Sequence, residues 1–242
     1  MKHRYFGIIP ARGGSKGIRN KNIQLIGNKP MIQYTFEASK KSSKLDCVIL
    51  SSDDEKIIDL ALKFKINVPF IRPKPLAQDG TSTAKVIIHA LEWYKEEYHD
   101  YPENLVLLQP TSPFRTGEDI DNAIEKYESS QKDSLISVCP VSQHPSECLT
   151  VSDTDELEFI NIGHNLNLTR RQLYKKCYFI DGAIYICKTS KFIENKTMFN
   201  SYSEIFILPK SHSIDVDDWF DLLIARAIKY YSEKVNSEIF SY

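Results

Sequence analysis

No apolar run in this chain approaches the roughly 20 residues needed to cross a bilayer, and its N-terminus passes into a strand-like segment without a signal-peptide pattern. Neither sign of charge prevails: 31 Lys and Arg stand against 32 Asp and Glu, a formal net charge of -1. A chain so balanced exerts no overall pull on nucleic acid or an anionic membrane, so neither is expected as a partner. Any anion site must then be a local cluster of cations. Cysteine is sparse. The five residues Cys47, Cys139, Cys148, Cys177 and Cys187 are odd in number and have no C-x-x-C spacing, which argues against a disulfide framework or a thiolate metal site. Most lie in apolar runs, where a thiol is expected to be buried. The expected location is the cytoplasm.

What the chain does have is enough apolar residue, 42% of 242, to bury a core as one domain. Short β-branched runs alternate with helical periodicity, the pattern of a parallel sheet flanked by helices. Strands are predicted at Tyr5–Pro10, Cys47–Ser51, Val68–Ile71, Leu105–Leu108 and Ser134–Val138, and helices at Met31–Lys40, Glu55–Phe64, Ala84–Tyr94 and Ile120–Tyr127. The predicted class is α/β, a mostly parallel sheet sandwiched by helices. Beyond residue 140, Pro140, Pro145 and the polar stretch Ser152–Glu158 break the alternation. Residues 140–180 therefore read as an insertion within a single domain, 1–242. The chain returns through strands at Tyr178–Cys187 and Ile205–Leu208 to a final helix from Asp217. Trp93 and Trp219 are expected to pack helices.

The strongest local signal is the run Ile8-Ile9-Pro10-Ala11-Arg12-Gly13-Gly14-Ser15-Lys16-Gly17-Ile18-Arg19-Asn20-Lys21-Asn22. A strand enters a loop with three glycines, which let backbone N–H groups wrap an anion, and four cations able to neutralise phosphate charge. The spacing is neither that of a P-loop nor that of a dinucleotide fingerprint. A second motif, Gln109-Pro110-Thr111-Ser112-Pro113-Phe114-Arg115, follows a predicted buried strand. Ligands in open α/β sheets bind beyond such strand ends. A third, Ser213-Ile214-Asp215-Val216-Asp217, sets two carboxylates on one face of an extended segment, suited to a hard cation or to capping the helix that follows.

Together these segments resemble the sugar-acid cytidylyltransferases, which include the CMP-N-acylneuraminate, CMP-legionaminate and CMP-Kdo synthetases. The resemblance runs from about Ile8 to Ile228 and implies a nucleotide-diphospho-sugar-transferase-like fold. It implies that Arg12, Gly13, Gly14, Ser15, Lys16, Lys21 and Asn22 hold the phosphates of CTP. It further implies that Arg72 and Leu76-Ala77-Gln78-Asp79 with Ser82 approach the cytosine and ribose, that Thr111 and Ser112 face the nucleotide, and that Gln109 and Arg115 face the sugar acid. Asp215 and Asp217 fall at the family's magnesium-binding Asp-x-Asp pair. Ser51-Ser52-Asp53 resembles the nucleoside-side loop, with helix capping as an equal alternative.

Thr169-Arg170-Arg171-Gln172 and Tyr178–Tyr185 resemble elements of the nonulosonate-activating members. Arg170 and Arg171 can pair bidentately with a carboxylate, and Gln172 and Tyr185 complete the implied acid site. Phe179 and Asp181 depart from that pattern, which leaves fine substrate choice open.

The implied reaction is attack of the anomeric hydroxyl of a sialic- or legionaminic-type acid on the α-phosphate of CTP. Arg12, Lys16, Lys21, Asp215 and Asp217 would carry catalysis, with Mg2+ as cofactor. CTP and the sugar acid are the expected partners, along with a second copy of the chain bound through the 140–180 insertion, whose Leu149, Phe159, Ile160 and Leu166 have no core to join. The alternatives are a CMP-Kdo synthetase and a nucleotide-binding module without turnover.

Overall fold

The computed structural model describes residues 3–159 and 174–234. Its centre is a six-stranded sheet in the order β10-β6-β9-β5-β1-β4. Strand β1 (Tyr5–Pro10) pairs in parallel with β4 (Cys47–Ser51) and β5 (Asn104–Leu107). β9 (Tyr178–Lys188) runs antiparallel between β5 and β6 (Ser134–Pro140), and β10 (Glu204–Ile207) closes the far edge in parallel with β6. The sheet is thus mostly parallel with one reversed strand. Two small ladders lie apart: β2 (Leu25–Ile26) with β3 (Lys29–Pro30), and β7 (Leu149–Val151) with β8 (Leu157–Phe159).

Strand alternation sends successive side chains to opposite faces, and β1 shows what each face meets. Tyr5 and Ile9 join a core with Ile32 and Phe36 of α1 (Met31–Lys41), Ile57 of α2 (Glu55–Lys63) and Ile120 and Ile124 of α4 (Gly117–Ser130). Phe6 and Ile8 face the other way, onto Ile87, Leu91 and Tyr94 of α3 (Thr83–Tyr98) and Phe192 of α5 (Thr189–Asn195). A third, smaller cluster ties the loop after β1 to the C-terminal helix, through Ile18, Ile26, Met31 and Val216 against Leu222 and Ala225 of α6 (Trp219–Lys234).

Several expectations are corrected. Val68–Ile71 is not a strand; only isolated bridges, Ile49 to Asn67 and Ser52 to Ile71, form there. Pro69 lacks the N–H that a ladder needs. The last helix starts at Trp219, because the Asp218 side chain accepts from the N–H groups of Phe220 and Asp221 and caps it. Trp93 packs on Phe6 and Phe70, whereas Trp219 is more than half exposed. Of the five cysteines, all free, only Cys187 is buried. In the stretch read as an insertion, β7 and β8 pair with each other alone, and Leu149 is exposed. Ile160 and Leu166 lie outside the described residues.

The start of α4 is fixed by a capping box, in which Thr116 accepts from the Asp119 N–H and the Asp119 carboxylate accepts from the Thr116 N–H. The same carboxylate bonds His212 Nδ1 at 2.8 Å, clipping the loop after β10 onto α4. That bond raises the His212 pKa against the opposing effect of burial. Burial would raise the Asp119 pKa, but the bonds from His212 and Thr116 outweigh it and hold it low. A raised histidine pKa stabilises the fold most below its unfolded value of about 6.5, and the contribution is lost as pH rises through the folded pKa. His212→Gln should therefore lower thermal stability near pH 6 by ~1 kcal/mol, given partial solvent screening. The gap from the parent should close by pH 9. Melting curves at the two pH values check this, and an equal gap at both would show that the charge contributes nothing.

Candidate active site

The loops following β1 and β5 meet at the carboxyl edge of the sheet, where a crevice is expected. A cleft of about 470 Å³ lies there, lined on one side by Arg12, Gly14, Ser15, Lys21 and Asn22. Leu76, Gln78, Asp79, Thr81 and Thr83 also line it, as do the buried Arg72 and Gln109, Thr111, Asp215 and Asp217.

The glycine-rich loop is held by specific bonds. The Ala11 N–H donates to the Ser51 carbonyl (2.9 Å), the Gly13 N–H to Asp53 Oδ1 (3.0 Å) and Asn22 Nδ2 to the Arg12 carbonyl (3.0 Å). Ser51-Ser52-Asp53 thus braces the loop from beneath, while Asp54 caps α2 by accepting from the N–H groups of Lys56 and Ile57. Asp79 pairs with Arg12, and with Lys16 at 3.3 Å. Lys16 itself is 79% exposed and stands outside the lining. Lys21 is largely buried and reaches Asp217 Oδ1 at 3.0 Å.

Arg72 is buried under the cleft floor and donates to the Ser51 side chain and carbonyl. Burial draws its pKa down to about 10, offset in part by Asp53, so it stays charged at neutral pH. Ser82 is exposed at the start of α3, with Thr81 and Thr83 on either side of it lining the cleft.

Ser112 and Arg115 lie behind the cleft wall. Ser112 is fully buried and donates to the Asp181 carbonyl at 3.2 Å. Arg115, 2% exposed, donates to the carbonyls of Gln109 (3.1 Å) and Ala183 (2.6 Å) and to Thr35 Oγ1 (2.6 Å). A guanidinium closed off in this way has no face left for a ligand. Gln109 does face outward, and it lines a second cavity of about 230 Å³ shared with Tyr185, Leu107, Met198, Phe199 and Lys196. Burial, with the charges of Asp215 and Asp181, pushes the Tyr185 phenol up to about 12, so it is neutral there. Arg170, Arg171 and Gln172 lie outside the described residues. Thr83, Met198 and Phe199 carry no site assignment from the sequence, and the last two follow a helix, α5, that periodicity does not reveal.

Asp215 is mostly buried, and its Oδ1 has no hydrogen-bond partner. Burial raises its pKa and Asp217 adds to the rise, while Thr111 and Lys21 work the other way. An orphaned buried carboxylate oxygen beside a second carboxylate fits a divalent cation. Among the described residues no group of three or more His, Cys, Asp or Glu is placed to hold a metal, so any such ion would complete its shell from water or from ligand oxygens, as magnesium does with phosphates.

Comparison with known proteins bears on the family and the fold. A family model described as Cytidylyltransferase matches residues 6–221. The chain is 32% identical over 241 residues to an N-acylneuraminate cytidylyltransferase of Escherichia coli, covering 99% of this chain and 55% of that protein. It therefore spans about half the length of that relative. It is 34% identical over 221 residues to a CMP-N,N'-diacetyllegionaminic acid synthase of Legionella pneumophila, covering 89% of this chain and 93% of that one. In fold it is similar to a CMP:2-keto-3-deoxy-manno-octonic acid synthetase solved with CTP, at a TM-score of 0.67 and 16% identity, covering 94% of this chain and 98% of that one.

Two neighbouring glycines of the loop differ in the space behind them. A Cβ on Gly13 would sit 2.5 Å from Asp54 Oδ2 and 2.8 Å from Asp54 Cβ, whereas one on Gly14 would meet nothing within 4 Å. Gly13→Ala should cost ~1–3 kcal/mol through overpacking, and Gly14→Ala should melt close to the parent. Denaturant titration of both checks the pair, and equal stabilities would mean that Asp54 yields freely.

Proposed function

The chain belongs to the cytidylyltransferase family, and on that footing we propose that it joins CMP from CTP to a nonulosonic acid of the sialic or legionaminic type. One observation carries the reading: Gln109 stands at the seam of two cavities, one lined by Arg12 and Lys21 of the glycine loop and the Asp215–Asp217 pair, the other largely by apolar and aromatic side chains. The first suits a nucleoside triphosphate. The second has an apolar wall, Leu107, Met198 and Phe199, suited to an N-acyl group, and a polar side at Tyr185 and Lys196.

The anomeric hydroxyl oxygen would bond to the α-phosphorus as the bond from that phosphorus to the bridging β-phosphate oxygen breaks, releasing pyrophosphate and the hydroxyl proton, which passes to solvent. Such transfers depend on positioning and charge stabilisation more than on covalent catalysis by the protein. Arg12, Lys16 and Lys21 would offset charge on the triphosphate, and Gln109 would orient the acid. Asp215 and Asp217 would hold Mg2+, which when bound supplies Lewis-acid polarisation of phosphate oxygens. Arg170 and Arg171 would pair with the acid's carboxylate.

Kdo, which has no N-acyl group, is the alternative substrate. The apolar wall of the second cavity and the Arg170-Arg171-Gln172 element favour the longer N-acylated acids. The proposal extends to a homodimer, supported by exposed apolar residues Leu149, Val151, Phe179 and Ile180 on the β7–β8 hairpin and the start of β9. It also extends to a cytoplasmic location, supported by the free thiols. Among the described residues no helix is long and apolar enough to cross a membrane.

Pyrophosphate release from CTP should appear with N-acetylneuraminate or N,N'-diacetyllegionaminate, with a specificity constant at least ~10-fold above that for Kdo. Preference for Kdo would overturn the substrate class, and no release with any of the three acids would overturn the reaction. Asp215→Asn removes a charge with little change in volume, and should raise the magnesium concentration for half-maximal turnover by about tenfold or more. A magnesium titration overlaying the parent's would remove Asp215 from the metal site.

A further inference from the structure

β9 does not run straight past β6. Ile136 faces Tyr185 and Val138 faces Ile180, so between those pairs β6 spends one residue, Ser137, and β9 spends four, Asp181 to Ile184. Such a bulge leaves ladder groups that must find other partners in a place water cannot reach. Each finds one. Ser112 Oγ donates to the Asp181 carbonyl, the Ala183 N–H to Asp181 Oδ1 (3.0 Å), Arg115 to the Ala183 carbonyl, and the Ile184 N–H to Ser137 Oγ (2.8 Å). The Ser137 hydroxyl in turn donates to Asp181 Oδ1.

The bulge points at the two cavities. Gly182 sits at its crest with φ +73°, and a Cβ there would lie 2.8 Å from Gln109 Oε1 and 3.6 Å from Asp215 Oδ2. Arg115, pinned to the Ala183 carbonyl on one side and the Gln109 carbonyl on the other, spans bulge and loop. Resting on the reading of this cleft as the cytidylyl-transfer site, we propose that Arg115, Ser137 and Asp181 are positioning residues, fixing the bulge so that Gly182 seats the Gln109 amide beside Asp215. None of the three lines either cavity, so they act through Gln109.

Ser137→Ala is the mild probe, since it removes one buried hydroxyl that serves both Ile184 and Asp181. A misplacement of about 1 Å at a reacting site can cost on the order of 100-fold, so kcat/KM for the sugar acid should fall by about tenfold or more. KM for CTP, set by the loop across the cleft, should stay within about twofold. Gly182→Ala should give the same split by pressing directly on Gln109. Asp181→Asn keeps an acceptor for Ser137 and Ala183 and should retain most activity, where Asp181→Leu should not.

A readout independent of turnover is the Gln109 side-chain amide signal in a 15N NMR spectrum, assigned by its loss in Gln109→Ala. It should shift in Ser137→Ala and Gly182→Ala. Folded variants with parental kinetics for the acid and an unmoved Gln109 signal would overturn the positioning role, as would Asp181→Asn proving as damaging as Asp181→Leu. A parent inactive with CTP and every acid would overturn the reaction instead, and the NMR signal would still report whether the bulge seats Gln109.

Discussion

Arg115 carries its charge where water cannot reach, and an isolated buried charge would cost far more than the fold has to spare. Its neighbours answer that cost. Two backbone carbonyls and the Thr35 hydroxyl accept from it, and burial lowers its pKa to about 10, with Asp181 and Asp119 countering. Accommodating one guanidinium, all of it but the Nε hydrogen-bonded, thus draws together α1, the loop after β5 and the bulge of β9, with the charge of Asp119 at the start of α4 acting on it from a distance. Asp119 also holds His212, on the loop that continues to Asp215. The substrate face of the sheet is consequently built on a polar frame, and its walls have little freedom to move separately.

The cleft in front of that frame is electrostatically balanced before any ligand arrives. Arg12 and Lys16 share Asp79, and Lys21 faces Asp217. Partly exposed pairs of this kind are individually weak. A triphosphate, with several charges and many acceptor oxygens, outcompetes a single carboxylate for the same cations. The pairs therefore keep the cations gathered around the cleft at little energetic cost to binding, which suits a reaction dependent on positioning.

How far this was legible in the sequence varies with the range of the contacts involved. Tyr5–Pro10 and Cys47–Ser51 are legible to the residue because strands buried over most of their length write compact apolar runs. Val68–Ile71 has the same composition, but Pro69 denies it a ladder. The placement of Gln109 toward the cavities and of Arg115 away from them could not be read from Gln109-Pro110-Thr111-Ser112-Pro113-Phe114-Arg115. It depends on Ala183 and Asp181, about 70 residues later, and on a bulge that shows no periodic signal. Lys16 and Ser82 illustrate the converse: residue type and motif position pointed to the site, while the backbone leaves both side chains in solvent. Met198 and Phe199 were missed because a short helix and the turn after it have too few residues to show a period.

These differences separate two parts of the site by origin. The first cleft is made largely from loops at the ends of β1, β4 and β5, whose parallel pairing fixes their relative heights and whose roots lie in the two main cores. The second cavity takes Met198 and Phe199 from the segment after α5, which is anchored mainly by Phe192 and Met198 themselves. Substitutions in that segment can reshape the second cavity without disturbing the glycine loop, because no ladder or shared hydrogen bond links them. Gln109 and Thr83 are where the two parts meet, and Gln109 is held from behind by Arg115 and not by either cavity. A scaffold so divided can keep one nucleotide chemistry while the shape of the neighbouring pocket changes, whereas changes at Gln109, at Thr83 or in the bulge of β9 behind Gln109 would affect both.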